Sequence, residues 1–539
     1  MHGYNAQPIC ICRSLALSRS LLKSTAVISA MTLLSRVLGF VRDMVFARLF
    51  GASGATDAFF VVFKIPNFLR RLFAEGAFSQ AFVPLLAEYR ETKSREAMLD
   101  FIAHVAGTLG AVLLLITTLG VAAAPLLLFL FAPGFHADAA QFALAEEMLR
   151  ITFPYIFFIS LTAFASSLLN SFGKFAIPAL TPIWLNIVLI GAAFLGANYA
   201  DEPMLVLSWG VLVAGVVQLG FQLPWIWRMG LLPRPRFSWR HEGVQRTFKL
   251  MLPAIFGSSV TQINLLLDTV LASFLIAGSV SWLYYSDRLV EFPLGMFGVA
   301  LATVILPKLS REHSRASADD FQQTLDWGLR LTVLLALPAT LGLVALAGPL
   351  LATLFEYGAF GADDTQMAML SLVAYSLGLP AFLLIKILAP GFYARQDMVT
   401  PVKIGIHAVL ANIAFKAAVV LPLVILAVPG THAALAAGTA FAAALNAFWL
   451  YRGLRTSKVY QPSRMWRRLW WQAGAATLVM GGLLLALMPP QAAWSAMSGG
   501  MRALWLGGLV LGAVASYAAV LLALGLRPRD LKREEATWS

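Results

Sequence analysis

The sequence predicts an all-α polytopic membrane protein with fourteen transmembrane helices, arranged as two pseudo-symmetric six-helix lobes plus two C-terminal helices. Three observations predict it. The 539 residues are 59% hydrophobic and 12% charged, with a mean hydropathy of +0.77, against about 25% charged residues in a soluble domain. The apolar residues form continuous runs of about 20, enough to cross a ~30 Å hydrocarbon core, rather than the alternating pattern of barrel strands. A set of motifs also recurs at an offset of 223 or 224 residues. Helices follow because lipid offers a spanning backbone no hydrogen-bond partners but its own.

The apolar runs fall near residues 25–49, 54–72, 98–131, 148–171, 178–198, 204–226, 249–276, 281–306, 325–354, 368–390, 403–427, 432–451, 469–488 and 502–525. Basic residues (Arg13, Arg19, Lys23) precede the first run as they would in a signal peptide, but the run is full length and shows no small-residue cleavage pattern. It reads as a retained first helix behind a polar tail, residues 1–21. Helices 1–6 then make an N-lobe, 22–227; a basic cytoplasmic linker covers 228–246; helices 7–12 make a C-lobe, 247–455; helices 13 and 14 lie in 456–526; and 527–539 form a second tail. "WRRLWWQ" at the start of helix 13 reads as an interfacial aromatic and basic anchor.

The net charge of +13 is distributed by side. Loops on one side carry Arg90, Lys93 and Arg95, then Arg228 through Arg246, Lys308 and Arg311, and Arg452 through Arg468; the opposite loops hold Asp138, Asp201, Glu202, Glu356, Asp363 and Asp364. The positive-inside rule places both termini in the cytoplasm. The basicity is topological, and no nucleic-acid partner is expected. Cys10 and Cys12 are the only cysteines, in a tail that this orientation leaves in a reducing compartment, so neither a disulfide nor a metal site is expected.

The repeat is carried by three regions. Pro84 is followed by Pro307, Pro178 by Pro401, and Pro125, Phe131 and Gly134 by Pro349, Phe355 and Gly358. Six helices return the chain to the same side, so the lobes are parallel repeats, an arrangement that places a substrate site at the repeat interface and works by alternating access.

Charges within the apolar runs are the candidate functional residues, because an ionised group at bilayer depth costs about 2.5 kcal/mol or more and must face a wet cavity or a partner. Helix 1 carries Arg36, Arg42 and Asp43; helix 2 carries Asp57, Lys64, Arg70 and Arg71; helix 8 carries Asp287, Arg288 and Glu291. Arg36 and Asp43 share a face, ~10 Å apart along the axis. Arg36 and Arg42 correspond to Ser259 and Leu265 in the second repeat, so the basic face is not duplicated. The asymmetric cluster Arg36, Arg42, Arg70, Arg71 and Arg288 suggests an anionic, phosphate-bearing ligand, which arginine's fixed fork of donors suits. The alternative is internal ion pairing: Arg42 with Asp43 or Asp57, and Arg288 with Glu291. Asp268 on helix 7, with His407 and Asn412 on helix 11, reads either as a site for a coupling cation or proton or as groups hydrogen-bonded inside the bundle.

"SRVLGFVRD", "RLFGASGATDAFFVVFKIPNFLRRLFAEGAFSQAFVPLLAEY", "SWLYYSDRLVEFPLG" and "LAPGFYARQDMVTPVK" closely resemble the MurJ (MviN) lipid II flippases of bacterial inner membranes, in the MOP superfamily with the MATE exporters. The resemblance runs from about Leu22 to the C-terminus. It implies two MATE-like lobes around a central cavity, helices 13 and 14 as a groove for a polyprenyl tail, and transfer of undecaprenyl-pyrophosphoryl-MurNAc(pentapeptide)-GlcNAc to the outer leaflet. Family-important positions carry over as Arg36, Arg42, Asp57, Arg70, Arg288 and Glu291. Some relatives bind sodium with an acid on helix 7, which the resemblance places at Asp268.

The expectation is a transporter rather than an enzyme, with arginines binding pyrophosphate and with Asp43, Asp57, Lys64, Asp287 and Glu291 as gating or ion-pair residues. No cofactor is expected beyond a coupling Na+ or H+. The expected partners are lipid II, membrane lipids and the peptidoglycan-synthesis machinery, with the protein acting as a monomer. The rival readings are a flippase for another polyprenyl-linked glycan, a MATE-like exporter, and a membrane-embedded enzyme; the last lacks a metal-ligand cluster, nucleophile motif or long outer loop in the sequence.

Overall fold

The structure, a computed structural model, describes residues 11–70, 78–315 and 317–527. Cys10 and Arg71 lie outside these residues. Among them, eleven helices are long and apolar enough to cross a membrane, and no strand occurs. The chain divides into two compact units, the first formed by residues 1–46, 62–128 and 142–259, the second by 47–61, 129–141 and 260–539.

The first unit takes most of α1 (Ile11–Phe50) and the end of α2 (Gly54–Arg70), then α3 (Ser79–Thr92), α4 (Arg95–Ala122), the start of α5 (Ala124–Phe131), α6 (Ala139–Thr152), α7 (Tyr155–Ser171), α8 (Ala176–Tyr199), α9 (Pro203–Arg228) and the first half of α10 (Glu242–Ala272). α3 is short and amphipathic: Ala81, Phe82, Leu85, Leu86 and Tyr89 form one buried face at helical spacing. Phe82 stacks on Phe101 of α4 at 5.6 Å and meets Phe164 of α7 at 5.2 Å, so α3 is held by aromatic contacts. Ser94 starts α4 as its N-cap, its hydroxyl accepting the Ala97 amide at 3.2 Å. The segment between α9 and α10 lies along α4, where the Arg236 amide donates to the Ala103 carbonyl at 3.0 Å. Gly107 allows this approach, since a Cβ there would stand 2.5 Å from the Arg236 backbone.

The second unit contains the start of α2, the rest of α10, α11 (Ser279–Pro293), α12 (Val299–Ser314), α13 (Ala318–Ala345), α14 (Ala347–Leu354), α15 (Ala362–Tyr393), α16 (Val399–Phe415), α17 (Leu421–Ile425), α18 (Thr431–Thr456), α19 (Met465–Leu487), α20 (Gln491–Ala496) and α21 (Gly499–Ala523). One π-helical turn joins α11 to α12 and another, Lys416–Val420, joins α16 to α17. Two polar clasps fix the last helices. Asp326 of α13 accepts hydrogen bonds from Tyr460 (2.7 Å), Ser463 (3.1 Å) and Trp466 (2.6 Å). Arg502 of α21, 6% exposed, donates to the carbonyls of Ala352, Glu356, Ser495 and Met497 at 2.7–3.2 Å.

The repeat appears in the lengths of the elements. α4 and α13 both have 28 residues and start 223 apart; α5 and α14 both have eight and keep the same offset. α6 and α15, and α8 and α16, also begin 223 residues apart. The apolar runs 98–131 and 325–354 are each a long helix followed by a short one. The breaks precede Pro125 and Pro349, whose missing N–H and ring clash with the preceding turn prevent a straight continuation.

Candidate functional site

Helix α1 positions the first group. Arg42 is 3% exposed. Its Nε and NH2 both donate to Asp43 Oδ1, at 3.0 and 2.6 Å, and its NH1 donates to Asn186 Oδ1 of α8 at 3.2 Å. Asn186 in turn donates through Nδ2 to the Ser35 carbonyl at 3.2 Å. This amide packs beside Gly39, 3.6 Å from where a Cβ would stand, an ordinary contact distance. One buried asparagine thus ties α8 to α1 and aims the guanidinium. Arg42 also stands 5.7 Å from the Phe46 ring centroid. Arg36, one and a half turns earlier, is exposed and forms no ion pair with a described residue. Arg70, at the end of α2, is half-buried, its Nε 3.4 Å from Asn67 Oδ1.

In the second unit, Arg288 of α11 donates to Glu291 Oε2 and to the Tyr284 hydroxyl, both at 3.0 Å. Its guanidinium lies 5.1 Å from the Tyr284 ring centre, and Phe60 stacks on that ring at 4.0 Å. Lys64 and Asp287 are half-buried. Asp57 is buried, and its bonds run to the amide end of α11: Gly278 N at 2.7 Å, Ser281 N at 2.8 Å and Ser281 Oγ at 2.5 Å. The two amides are unsatisfied N–H groups of a helix start, and the Ser281 hydroxyl adds a side-chain donor. Both ion pairs raised from the sequence, Arg42 with Asp43 and Arg288 with Glu291, are present.

Asp268 is not a lone acid. Lys416 Nζ, 3% exposed at the head of the π-helical turn, donates to its Oδ1, and the Thr439 hydroxyl donates to Oδ2 at 3.2 Å. Asn412, fully buried on the preceding turn, lies beside Gly438 of α18. His407 is exposed, its ring edge-on to Trp449 at 6.0 Å. Sequence reasoning missed Lys416, whose signal was available: a lysine in the middle of the apolar run 403–427. It also missed Asn186, which a polar residue in an apolar run flags only weakly.

One group of metal-ligating type also went unnoticed. Asp100, His104 and His241 hold their ligand atoms within 4.8 Å of one another, and the two imidazoles stack at 4.6 Å. The Gly243 amide donates to His241 Nδ1 at 3.1 Å. The neutral ring therefore carries its proton on Nε2, the atom 3.5 Å from Asp100. That is a hydrogen-bonding arrangement rather than a lone pair offered to a metal.

Comparison with known proteins identifies the family. Residues 46–503 match the family model described as lipid II flippase MurJ. The chain is 48% identical over 524 residues to the probable lipid II flippase MurJ of Vibrio cholerae, covering 96% of this chain and 98% of that one. It is 44% identical over 469 residues to the lipid II flippase MurJ of Burkholderia cenocepacia, covering 86% and 90%. Among solved structures, a lipid II flippase MurJ in an inward closed conformation superposes with a TM-score of 0.78 at 28% identity, over 94% of this chain and all of that one. An inward-facing MATE family multidrug transporter of the MOP superfamily gives 0.65 at 13% identity, over 80% and 98%, a likeness of fold alone. The chain is a multi-pass membrane protein that belongs to the MurJ family.

Proposed function

We propose that the protein is a flippase that carries lipid II, undecaprenyl-pyrophosphoryl-MurNAc(pentapeptide)-GlcNAc, from the cytoplasmic to the periplasmic leaflet of a bacterial inner membrane. Membership in the MurJ family, sustained over most of the chain, carries this reading; that family is one of transporters. Fourteen spans follow if α1, α2 and α10 cross beside the eleven long apolar helices; of these three, α2 has 17 residues. In that topology both termini are cytoplasmic, residues 22–227 and 247–455 are the two lobes, and 456–526 form the lipid-tail groove.

The pyrophosphate is assigned to the arginines Arg36, Arg42 and Arg70, with Arg71 and Arg288 as further candidate cations. Exposure and the lack of a charged partner among the described residues support Arg36 as the first contact. Arg42 engages phosphate by exchanging Asp43 for it, which makes the Arg42–Asp43 pair the resting state of an empty carrier. Glu291 plays the same part for Arg288, and Asp57 is a latch that holds the start of α11. Lys64 and Asp287 complete the ion-pair set. The Lys416 ammonium neutralises Asp268, so the reading of Asp268 and Asn412 favoured here is an internal ion pair rather than a coupling-cation site.

Carrying net negative charge outward across an inside-negative membrane is worth about 2.3 kcal/mol per charge per 100 mV, so the potential drives the cycle. The test uses labelled lipid II in sealed vesicles containing the purified protein. The lipid is expected to change leaflet chemically intact, and more slowly once the potential is collapsed. A chemically altered product would replace the flippase with an enzyme.

A further inference from the structure

The turn between α3 and α4 carries a second cationic site, separate from the intramembrane arginines. A cavity of about 380 Å³ opens there, with Arg90, Lys93 and Arg95 at its rim and Phe172, Met229 and Leu231 among its apolar walls; no carboxylate residue is in its lining. Arg90 is fixed in place, donating to the Ser171 carbonyl at 2.9 Å with its guanidinium 5.6 Å from the Phe172 ring centre and Glu91 Oε1 at 3.4 Å. Lys93 and Arg95 are exposed and form no ion pair with a described residue. The other acid on α3 is committed elsewhere: Glu88 receives both Arg246 NH1 (2.9 Å) and NH2 (2.8 Å). Gly230, at φ +65 in the left-handed region, turns the segment after α9 beneath this rim, where a Cβ would stand 3.1 Å from Arg95 NH2.

α4 is one of the membrane-crossing helices and Arg95 is its first residue, so the rim marks a water–lipid boundary. Three cations above an apolar floor at that level match an amphiphile with a phosphate head and an apolar body. A soluble anion would use the rim and leave the floor empty. We propose that this cavity holds the phosphate headgroup of an anionic phospholipid, with its glycerol and upper acyl segments against Phe172, Met229 and Leu231.

The test reconstitutes the full chain in phosphatidylcholine containing a minor fraction of phosphatidylglycerol and counts retained lipid by native mass spectrometry. Lys93→Gln/Arg95→Gln is expected to lower phosphatidylglycerol retention about tenfold or more. Arg452→Gln/Arg455→Gln, an exposed pair at the end of α18, is expected to change it by less than about twofold. Lys93→Arg/Arg95→Lys, which keeps both charges, is expected to retain the lipid. Equal losses in the two charge-removing variants, or no loss in the first, would overturn the site; so would loss in the charge-keeping variant. Inorganic phosphate at millimolar concentration is expected to leave the lipid bound, and its displacement would assign the cavity to a soluble anion instead.

Discussion

Asp57 and Ser281 are joined by two hydrogen bonds to one oxygen: Asp57 Oδ1 accepts the Ser281 amide at 2.8 Å and the Ser281 hydroxyl at 2.5 Å. The N-cap of α11 is Gly278, left-handed at φ +96 and without a side chain to offer, so a residue from α2 performs the capping. Asp57→Ala strands buried amides and should cost about 2 kcal/mol; Asp57→Asn keeps one acceptor and should cost less. Thermal unfolding in detergent checks the order. An alanine variant as stable as the parent would mean that the cap does not hold α11.

The Asn186 amide is the hinge between Arg42 and the α1 backbone. Asn186→Leu removes an acceptor from a buried guanidinium and a donor from the Ser35 carbonyl, so stability should fall by about 1–3 kcal/mol. Lipid II translocation per folded molecule should fall with it, although no charge has been removed. Unchanged transport in this variant would show that Arg42 needs no positioning from α8.

Lys416 and Asp268 test the ion-pair reading. Lys416→Met leaves a carboxylate without its cation and should destabilise by about 3 kcal/mol or more, whereas Lys416→Met/Asp268→Asn should recover most of that loss. Replacing external sodium with choline should leave the parent's transport rate unchanged. A strong sodium requirement would return Asp268 to the role of an ion ligand.

Outside the membrane, Arg246 holds the Glu88 carboxyl below its ordinary value of 4.5, chiefly through their hydrogen bonds. A depressed carboxyl contributes stability that is full above the unfolded value and disappears as pH falls through the folded one. The melting temperature of the parent should therefore exceed that of Glu88→Gln by a constant margin at neutral pH. The margin should shrink below about pH 4.5. Because the pair is exposed, a small margin is expected, and one that grew on acidification would contradict the assignment.

Much of the architecture was legible because periodicity and spacing are local. The offset of 223 read from Pro84 and Pro307 reappears in α4 and α13, helices of identical length. Run boundaries were less legible: hydropathy does not register the break before Pro125, since both sides of it are equally apolar. The charged residues were legible as costly, but not their partners. The sequence shows Asp57 among charges and suggests arginine as its mate; the fold instead supplies backbone amides from α11, 221 and 224 positions away. Asn186 and Lys416 escaped for the same reason, since each matters only through a residue more than 140 positions distant.

The central claim is that a guanidinium on α1 grips the phosphates of the transported lipid. The most direct measurement is lipid II translocation by Arg36→Ala, with the variant's thermal unfolding recorded beside it. Arg36 is exposed, so the account predicts an unchanged melt and translocation reduced at least about tenfold, the loss of one charge-assisted contact. Translocation at the parental rate in a folded variant would contradict it.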